Sequence, residues 1–186
     1  RVNNHFIILN ILINLDISRA GIKKNRFYFL SLAYSPEAEQ IFKVELEERR
    51  QPETTEMDLL GQRVSITYSR LDLGTIAHIF DGNHATPIRT LEANPLEIEI
   101  DFPQPVDLYK ITILVGSPAT RFTIIIEQPG NGQPLSFTET VSSSDQIRPI
   151  TIDFGSSYQV SRLMISIENI NEPVPTHVHL WELILE

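Results

Sequence analysis

The sequence predicts an all-β protein built as an antiparallel sandwich, and three observations support this prediction. Short runs of alternating apolar and polar residues recur through residues 58–186. Turn-forming Pro, Gly, Asn and Ser residues separate those runs, and no long amphipathic helix is evident there. Alternation places one side of a strand on a core and the other in water, which is typical of antiparallel sheets.

The clearest strand covers residues 96–102, where four apolar residues alternate with Glu97, Glu99 and Asp101. The acidic residues are explained by a solvated face and do not indicate a catalytic pair. Further strands are predicted at residues 64–68, 108–115, 122–127, 150–154, 162–167 and 178–185. Turns are predicted between them, at residues 103–105, 116–118, 129–132, 155–157 and 171–173.

Composition excludes several classes of function. The chain has 186 residues, a formal charge of -9 and no cysteine. The absence of cysteine rules out disulfides, thiolate metal sites and cysteine nucleophiles. An acidic chain lacks the basic face that nucleic-acid binding requires, so we expect no nucleic-acid partner. Association with a membrane is left open.

The first 50 residues differ from the rest. They carry a net charge of +2, whereas residues 51–186 carry -11. The apolar runs at residues 6–15 and 26–34 fit a hairpin or buried helix, and the segment could be membrane-proximal or dock onto a partner subunit. Ser35-Pro36 predicts a helix start, but residues 41–47 alternate like a strand, so both readings stay open. The predicted organisation is an extension at 1–50, a polar linker at 51–57 and a sandwich at 58–186.

Three elements appear in order within the predicted sandwich. The turn Asp81-Gly82-Asn83 is followed by Thr86, then by a strand at residues 95–102 with a proline-bearing turn, and the last strand carries a glutamate. With these elements the chain resembles a discoidin-like domain, also called a coagulation factor 5/8 type C or galactose-binding-like jelly roll. The resemblance covers about two-thirds of the sequence, from about residue 58 onward.

The sequence departs from this family at Ile88, where many members carry a tryptophan. In carbohydrate-binding relatives the aspartate loop and the terminal glutamate hold a structural calcium ion. The resemblance therefore implies a Ca²⁺ site here, since calcium prefers carboxylate, amide, hydroxyl and carbonyl oxygens. The alternative is that Asp81 and Asn83 only hydrogen-bond their own turn, with the glutamate on an exposed strand face. The implied calcium-binding residues are Ile79, Asp81, Asn83, Thr86 and Glu182.

Ligand binding in such folds uses loop aromatics together with polar side chains. The candidate loops here contain no tryptophan or tyrosine, and Trp181 is expected to be buried in the last strand. His177, His179 and Trp181 alternate and should share one strand face, as a weak zinc pair or as a half-exposed strand. The candidate ligand-binding residues are His84, Arg89, Asn94, Arg121, Arg148 and Asn171.

No phosphate loop, nucleophile elbow or zinc-protease motif is present in the sequence. The expected function is therefore non-catalytic binding of a carbohydrate or a surface protein in an extracellular or cell-envelope setting. One alternative is an assembly subunit that binds other proteins through residues 1–50 and the sandwich faces. Another is the accessory domain of a larger glycoside-active or membrane enzyme.

Overall fold

A computed structural model describes residues 40, 41, 43, 44, 47, 51–130, 132–170 and 176–186. The chain divides into two units, Arg1–Arg49 and Arg50–Glu186. In the first unit residues 40, 41, 43, 44 and 47 are helical, so none of these described positions lies in the strand that the alternation of residues 41–47 suggested. The two apolar runs at 6–15 and 26–34 lie outside the described residues. No helix in the described part of the chain is long and apolar enough to cross a membrane.

The described part of the second unit contains strands and one short 3-10 helix at Ile76–Phe80. The all-β prediction is confirmed. The strands are β1 (Glu53–Leu59), β2 (Gln62–Tyr68), β3 (Leu71–Leu73), β4 (Ile88–Thr90), β5 (Leu96–Val115), β6 (Thr120–Glu127), β7 (Leu135–Val141), β8 (Arg148–Asn169) and β9 (His179–Leu185).

The predicted linker at residues 51–57 is wrong, because β1 covers most of it. β1 pairs antiparallel with β2 along its whole length, from Glu53 opposite Tyr68 to Leu59 opposite Gln62. Met57 and Leu59 also pack against the core from this strand. Backbone pairing and these two apolar side chains outweigh the polar composition of the segment.

Two long strands, β5 and β8, bend and take part in both layers of the sandwich. The first part of β5 pairs with β2 and with the end of β8, which in turn pairs with β6. The second part of β5 pairs with the start of β8 and with β9, which pairs with β4. The pairing of β5 with β8 is irregular between Asp101 and Val106 and between Leu108 and Lys110, and Gly155 of β8, whose φ is +77°, lies opposite the second irregularity. The layers are therefore β1-β2-β5-β8-β6-β7 and β3-β4-β9-β5-β8. The turns predicted at residues 103–105 and 155–157 are wrong, because these residues lie inside the continuous strands β5 and β8.

The core lies between these layers and follows the alternation of the strands. Leu96, Ile98, Ile100 and Phe102 are all buried, as predicted for the clearest strand. Their burial, with that of the other inward positions of β5, β6 and β8, supplies the main hydrophobic stabilisation. Ile88 is fully buried in this core, so the position where relatives carry tryptophan has a packing role here.

Candidate functional site: a pocket and an acidic loop joined by one strand

A β-bulge in β9 determines where the candidate site lies. Leu114 of β5 pairs with Glu182, but the next residue, Val115, pairs with Leu180. Trp181 is therefore the extra residue of the bulge. Leu180 is fully buried in the core, and Leu183 is nearly so. Because both leucines reach the core, Trp181 and Glu182 between them are directed elsewhere.

Trp181 lines a cavity of about 360 Å³ at one end of the sandwich. That volume is near the lower end of the ~300–1,000 Å³ usual for small-ligand sites. The other apolar lining residues are Val115, Pro118, Ile147 and Ile167. The remaining lining comes from Gly116, Ser117, Asn169 and His179.

The position of the Trp181 ring depends on Gly116. A Cβ atom at residue 116 would lie 3.0 Å from Cζ3 and 3.1 Å from Cη2 of Trp181. The rings of His179 and Trp181 stack on each other, with centroids 5.9 Å apart and an interplanar angle of 28°. Trp181 lies in the last strand and is partly buried, close to the expectation, but its ring lines the pocket, a position that the sequence did not predict.

The two neighbouring histidines have different environments. His177 precedes β9, and its Nδ1 donates to the carbonyl oxygen of Thr90 at 2.6 Å. It therefore does not share the strand face of His179 and Trp181, which corrects the predicted alignment of all three. Burial lowers the pKa of His179, with Arg89 and His177 acting in the same direction. Among the described residues, no group of three His, Cys, Asp or Glu side chains could hold a metal ion, so zinc finds no third ligand.

Asn169 forms hydrogen bonds that connect the loops around the pocket. Its Nδ2 donates to the carbonyl oxygen of His177 at 2.9 Å, and its Oδ1 accepts from Thr120 Oγ1 at 3.4 Å. Asn94 adds a reciprocal pair: its Nδ2 donates to the Asn169 carbonyl and its Oδ1 accepts from the Asn169 amide, both at 2.9 Å. Buried polar groups satisfied in this way make the pocket walls rigid.

The Asp81 loop is closed by its own side chains. Asp81 Oδ1 accepts from the amide of Asn83 at 2.7 Å, and Asp81 Oδ2 accepts from Thr86 Oγ1 at 3.2 Å. Asn83 Oδ1 accepts from the amide of Ala85 at 3.2 Å. These are the hydrogen bonds that a plain Asx turn would make. The side chain of Ile79, just before the loop, is fully buried in the core.

Glu182 does not fit the plain-turn alternative, which places it on an exposed strand face. Its residue exposure is only 3 %. Oε1 accepts from the amide of Gly82 at 3.3 Å, while the buried Oε2 has no hydrogen-bond partner within the described residues. Burial raises the pKa of Glu182, and the charge of Asp81 raises it further. An unpartnered buried carboxylate oxygen beside a second carboxylate is the arrangement that a bound cation would satisfy.

The residues predicted to bind ligand lie mostly in other interactions. Arg89 makes a two-pronged ion pair with Asp72 at 2.7 and 2.9 Å, and Arg121 pairs with Glu168 at 3.0 Å. Arg148 donates to the carbonyl oxygen of Ser142. Asn94 supports the pocket through Asn169, His84 is exposed, and Asn171 lies outside the described residues. None of the five described residues lines the cavity, and their ligand-binding role stays a prediction.

No protein-family model matches this sequence, and neither does any curated protein. Solved structures do match the fold. A family GH29 fucosidase of Ruminococcus gnavus matches at a TM-score of 0.52 and 13% identity, over 66% of this chain and 25% of that chain. The family 32 carbohydrate-binding module of AlyQ, in complex with 4,5-unsaturated mannuronic acid, matches at a TM-score of 0.51 and 16% identity. The match covers 71% of this chain and 98% of that chain. The family 32 module of C. perfringens NanJ, in complex with galactose, matches at a TM-score of 0.51 and 16% identity, and the match covers 66% of this chain and 92% of that chain.

These matches show that the second unit has the discoidin-like jelly-roll fold, as the resemblance implied. The chain spans about a quarter of the length of the fucosidase that it matches.

The sequence prediction missed the residues that line the pocket, Trp181 above all. The available signal was the single tryptophan of the chain, next to the glutamate assigned to the calcium site and two residues after a histidine. By itself the local sequence predicts that this tryptophan packs in the core. The bulge that directs it to the pocket depends on how β9 pairs with β5, which the local sequence does not reveal.

Proposed function

We propose that this chain is a non-catalytic carbohydrate-binding module. The observation that supports this function best is the cavity in which Trp181 presents a half-buried ring beside a small number of polar groups. Sugar rings have apolar C–H faces and polar edges, which match an aromatic surface bordered by hydrogen-bonding groups. The shared fold of two family 32 modules, one in complex with a uronic acid and one with galactose, agrees with this proposal.

The test uses the fact that Trp181 is the only tryptophan. Glycans from a broad panel are titrated while its fluorescence is followed, and hits are repeated by calorimetry. We expect saturable binding of at least one glycan to the natural chain. The variants lack the fluorescent residue and are compared by calorimetry, where we expect binding to be retained in Trp181→Phe and weakened by at least about 10-fold in Trp181→Ala. Circular dichroism of both variants separates a lost site from a lost fold. Absence of binding across the panel would overturn the proposal.

We also propose that the Asp81 loop and Glu182 hold a structural calcium ion. Asp81 and Glu182 would supply carboxylate oxygens, Asn83 and Thr86 neutral oxygens, and the backbone near Ile79 a carbonyl. The buried, unpartnered Oε2 of Glu182 supports this assignment. When bound, the ion supplies positive charge that ties the loop to β9, and it takes no part in chemistry.

A thermal melt in millimolar calcium, compared with a melt in excess chelator, tests the calcium site. An ion that binds only the folded state stabilises it and so raises the melting temperature. At a free calcium concentration of 100 times Kd, the free energy of unfolding increases by about 2.7 kcal/mol. We expect the rise in the natural chain and its loss in Asp81→Asn, which preserves the size of the side chain. Identical melts, together with elemental analysis showing no bound calcium, would contradict the proposal.

The setting proposed for this module is extracellular or in the cell envelope, where glycans are exposed. The fucosidase match, in which the shared part is about a quarter of the enzyme chain, agrees with an accessory role beside a catalytic domain. Sequencing the full reading frame tests this directly: an adjoining glycoside-active domain is the expected result.

A further inference from the structure

The lining of the pocket is apolar over little more than half of its residues and carries no permanent charge. Five of its nine lining residues have apolar side chains, and none carries a permanent charge. Val115 and Ile167 are buried, so they lie at the inner end, whereas Ile147 is exposed and lies at the mouth. A ligand that enters this pocket therefore meets Trp181 and aliphatic walls, with the exposed Ser117 and the partly buried His179 offering hydrogen-bonding groups beside them.

The polar side chains that the lining offers to a ligand are those of Asn169, Ser117 and His179. The Nδ2 of Asn169 donates to the carbonyl oxygen of His177 at 2.9 Å, whereas its Oδ1 lies 3.4 Å from Thr120 Oγ1, a hydroxyl that also donates to the carbonyl oxygen of Pro118 at 3.0 Å. The carbonyl oxygen of Ser117 accepts a hydrogen bond from the amide of Ser144 at 2.8 Å. The side-chain hydroxyl of Ser117 lies at the exposed edge of the pocket. A sugar hydroxyl placed against the aliphatic walls would lose its bonds to water without replacement, which is unfavourable.

Charged sugars find no counter-ion in the pocket. No arginine lines the pocket: Arg89 pairs with Asp72, Arg121 pairs with Glu168, and Arg148 donates to the carbonyl of Ser142 while its buried Nε has no hydrogen-bond partner within the described residues. No lining residue is a carboxylate that could balance an amino sugar. The formal charge of -9 adds a general repulsion of acidic glycans.

We propose that the pocket selects an uncharged sugar bearing a methyl group, with the ring on Trp181 and the methyl against Val115, Ile147 and Ile167. This inference rests on the proposed carbohydrate-binding function and narrows it. A 6-deoxy sugar and an N-acetylated sugar both supply the required methyl group, and the experiment distinguishes them.

The test is a set of matched titrations followed by Trp181 fluorescence at pH 7.5. Glucose and galactose are each compared with their 6-deoxy, 2-acetamido, 2-amino and uronic acid derivatives. We expect the 6-deoxy or the acetamido form to bind at least about 4-fold more tightly than the parent sugar, because the 6-deoxy form lacks a hydroxyl that would lose its bonds to water and the acetamido form brings an additional methyl group to bury. The amino and uronic acid forms should bind no more tightly than the parent.

The outcomes separate this inference from the proposed function. Affinities equal within twofold, or a preference for a charged derivative, would overturn the inference and leave carbohydrate binding intact. Failure of every glycan in the broader panel would overturn the proposed function itself.

A pair of surface variants checks that the preference arises in this pocket. Ile147 and Leu60 are similarly exposed, at 47% and 48%, so replacing either with serine should preserve the fold. In Ile147→Ser, the affinity for the methyl-bearing sugar divided by the affinity for its parent sugar should fall towards one. Leu60→Ser, in the turn between β1 and β2, should leave the ratio unchanged. An unchanged ratio in Ile147→Ser would contradict the placement of the methyl group.

Discussion

Trp181 and Glu182 are consecutive residues, but their side chains lie in two different parts of the structure. The ring of Trp181 lines the pocket against Gly116, while the carboxylate of Glu182 is buried beneath the Asp81 loop and bonded to the amide of Gly82. The bulge in β9 makes this division, because it inserts one residue between the pairs Leu114–Glu182 and Val115–Leu180. The proposed sugar site and the proposed cation site therefore share one short piece of backbone.

Gly116→Ala should displace the ring of Trp181. The new methyl group would lie 3.0 Å from the ring, and residue 116 is not among the glycines with positive φ, so the backbone itself tolerates alanine. We expect a changed fluorescence spectrum and a loss of sugar affinity of about 10-fold, within the cost usual for overpacking. Gly132→Ala is the control, because a Cβ there meets no atom within 4 Å. Equal affinities in the two variants would contradict this role for Gly116.

Glu182→Gln should stabilise the metal-free protein at neutral pH. The neutral amide keeps an oxygen for the amide of Gly82 but removes a buried charge beside Asp81. We expect a gain of about 1 kcal/mol, seen as a rise of about 2–4 °C in the melting temperature, and no further rise on adding calcium. A variant that melts below the natural chain in chelator would show that the buried carboxylate is already satisfied.

The pKa of His179, lowered mainly by burial, predicts a dependence of stability on pH. The unfolded chain binds a proton at this histidine near pH 6.5, whereas the folded chain does so only at lower pH. Stability should therefore fall as the pH decreases through and below 6.5, down to the pKa of the folded state. Melts at pH 7.5 and 5.5 should differ less in His179→Gln than in the natural chain, and an equal difference would exclude His179 as a contributor.

Gly74→Ala should be among the more damaging small substitutions. Gly74 has a φ of +77°, and a Cβ there would lie 2.7 Å from the carbonyl oxygen of Pro87. Gly155 has the same φ but open space around it, so Gly155→Ala measures the backbone cost alone. We expect a loss of about 1 kcal/mol for Gly155→Ala, the cost of a side chain in the left-handed region, and at least about 1 kcal/mol more for Gly74→Ala. Denaturant unfolding of both variants gives the comparison, and equal losses would contradict it.

Local patterns predicted much of the sandwich. The alternation of residues 96–102 identified the inward side chains of β5, because the period of two is a property of any extended chain. It could not identify β1, since residues 53–59 are mainly polar and their pairing with β2 is what makes them a strand. The Asp81 loop was found from its turn residues, and the structure brings Glu182 to it over a separation of 100 positions.

The sequence by itself determined the fold class, the inward faces of the main strands and the residues of the acidic loop. Each follows from interactions between residues close along the chain. Only the tertiary structure decided that Trp181 lines a cavity and that Glu182 is buried. Both depend on the register between β9 and β5, and that register is fixed by how the whole core packs, with Leu180 and Leu183 inside and the bulge between them.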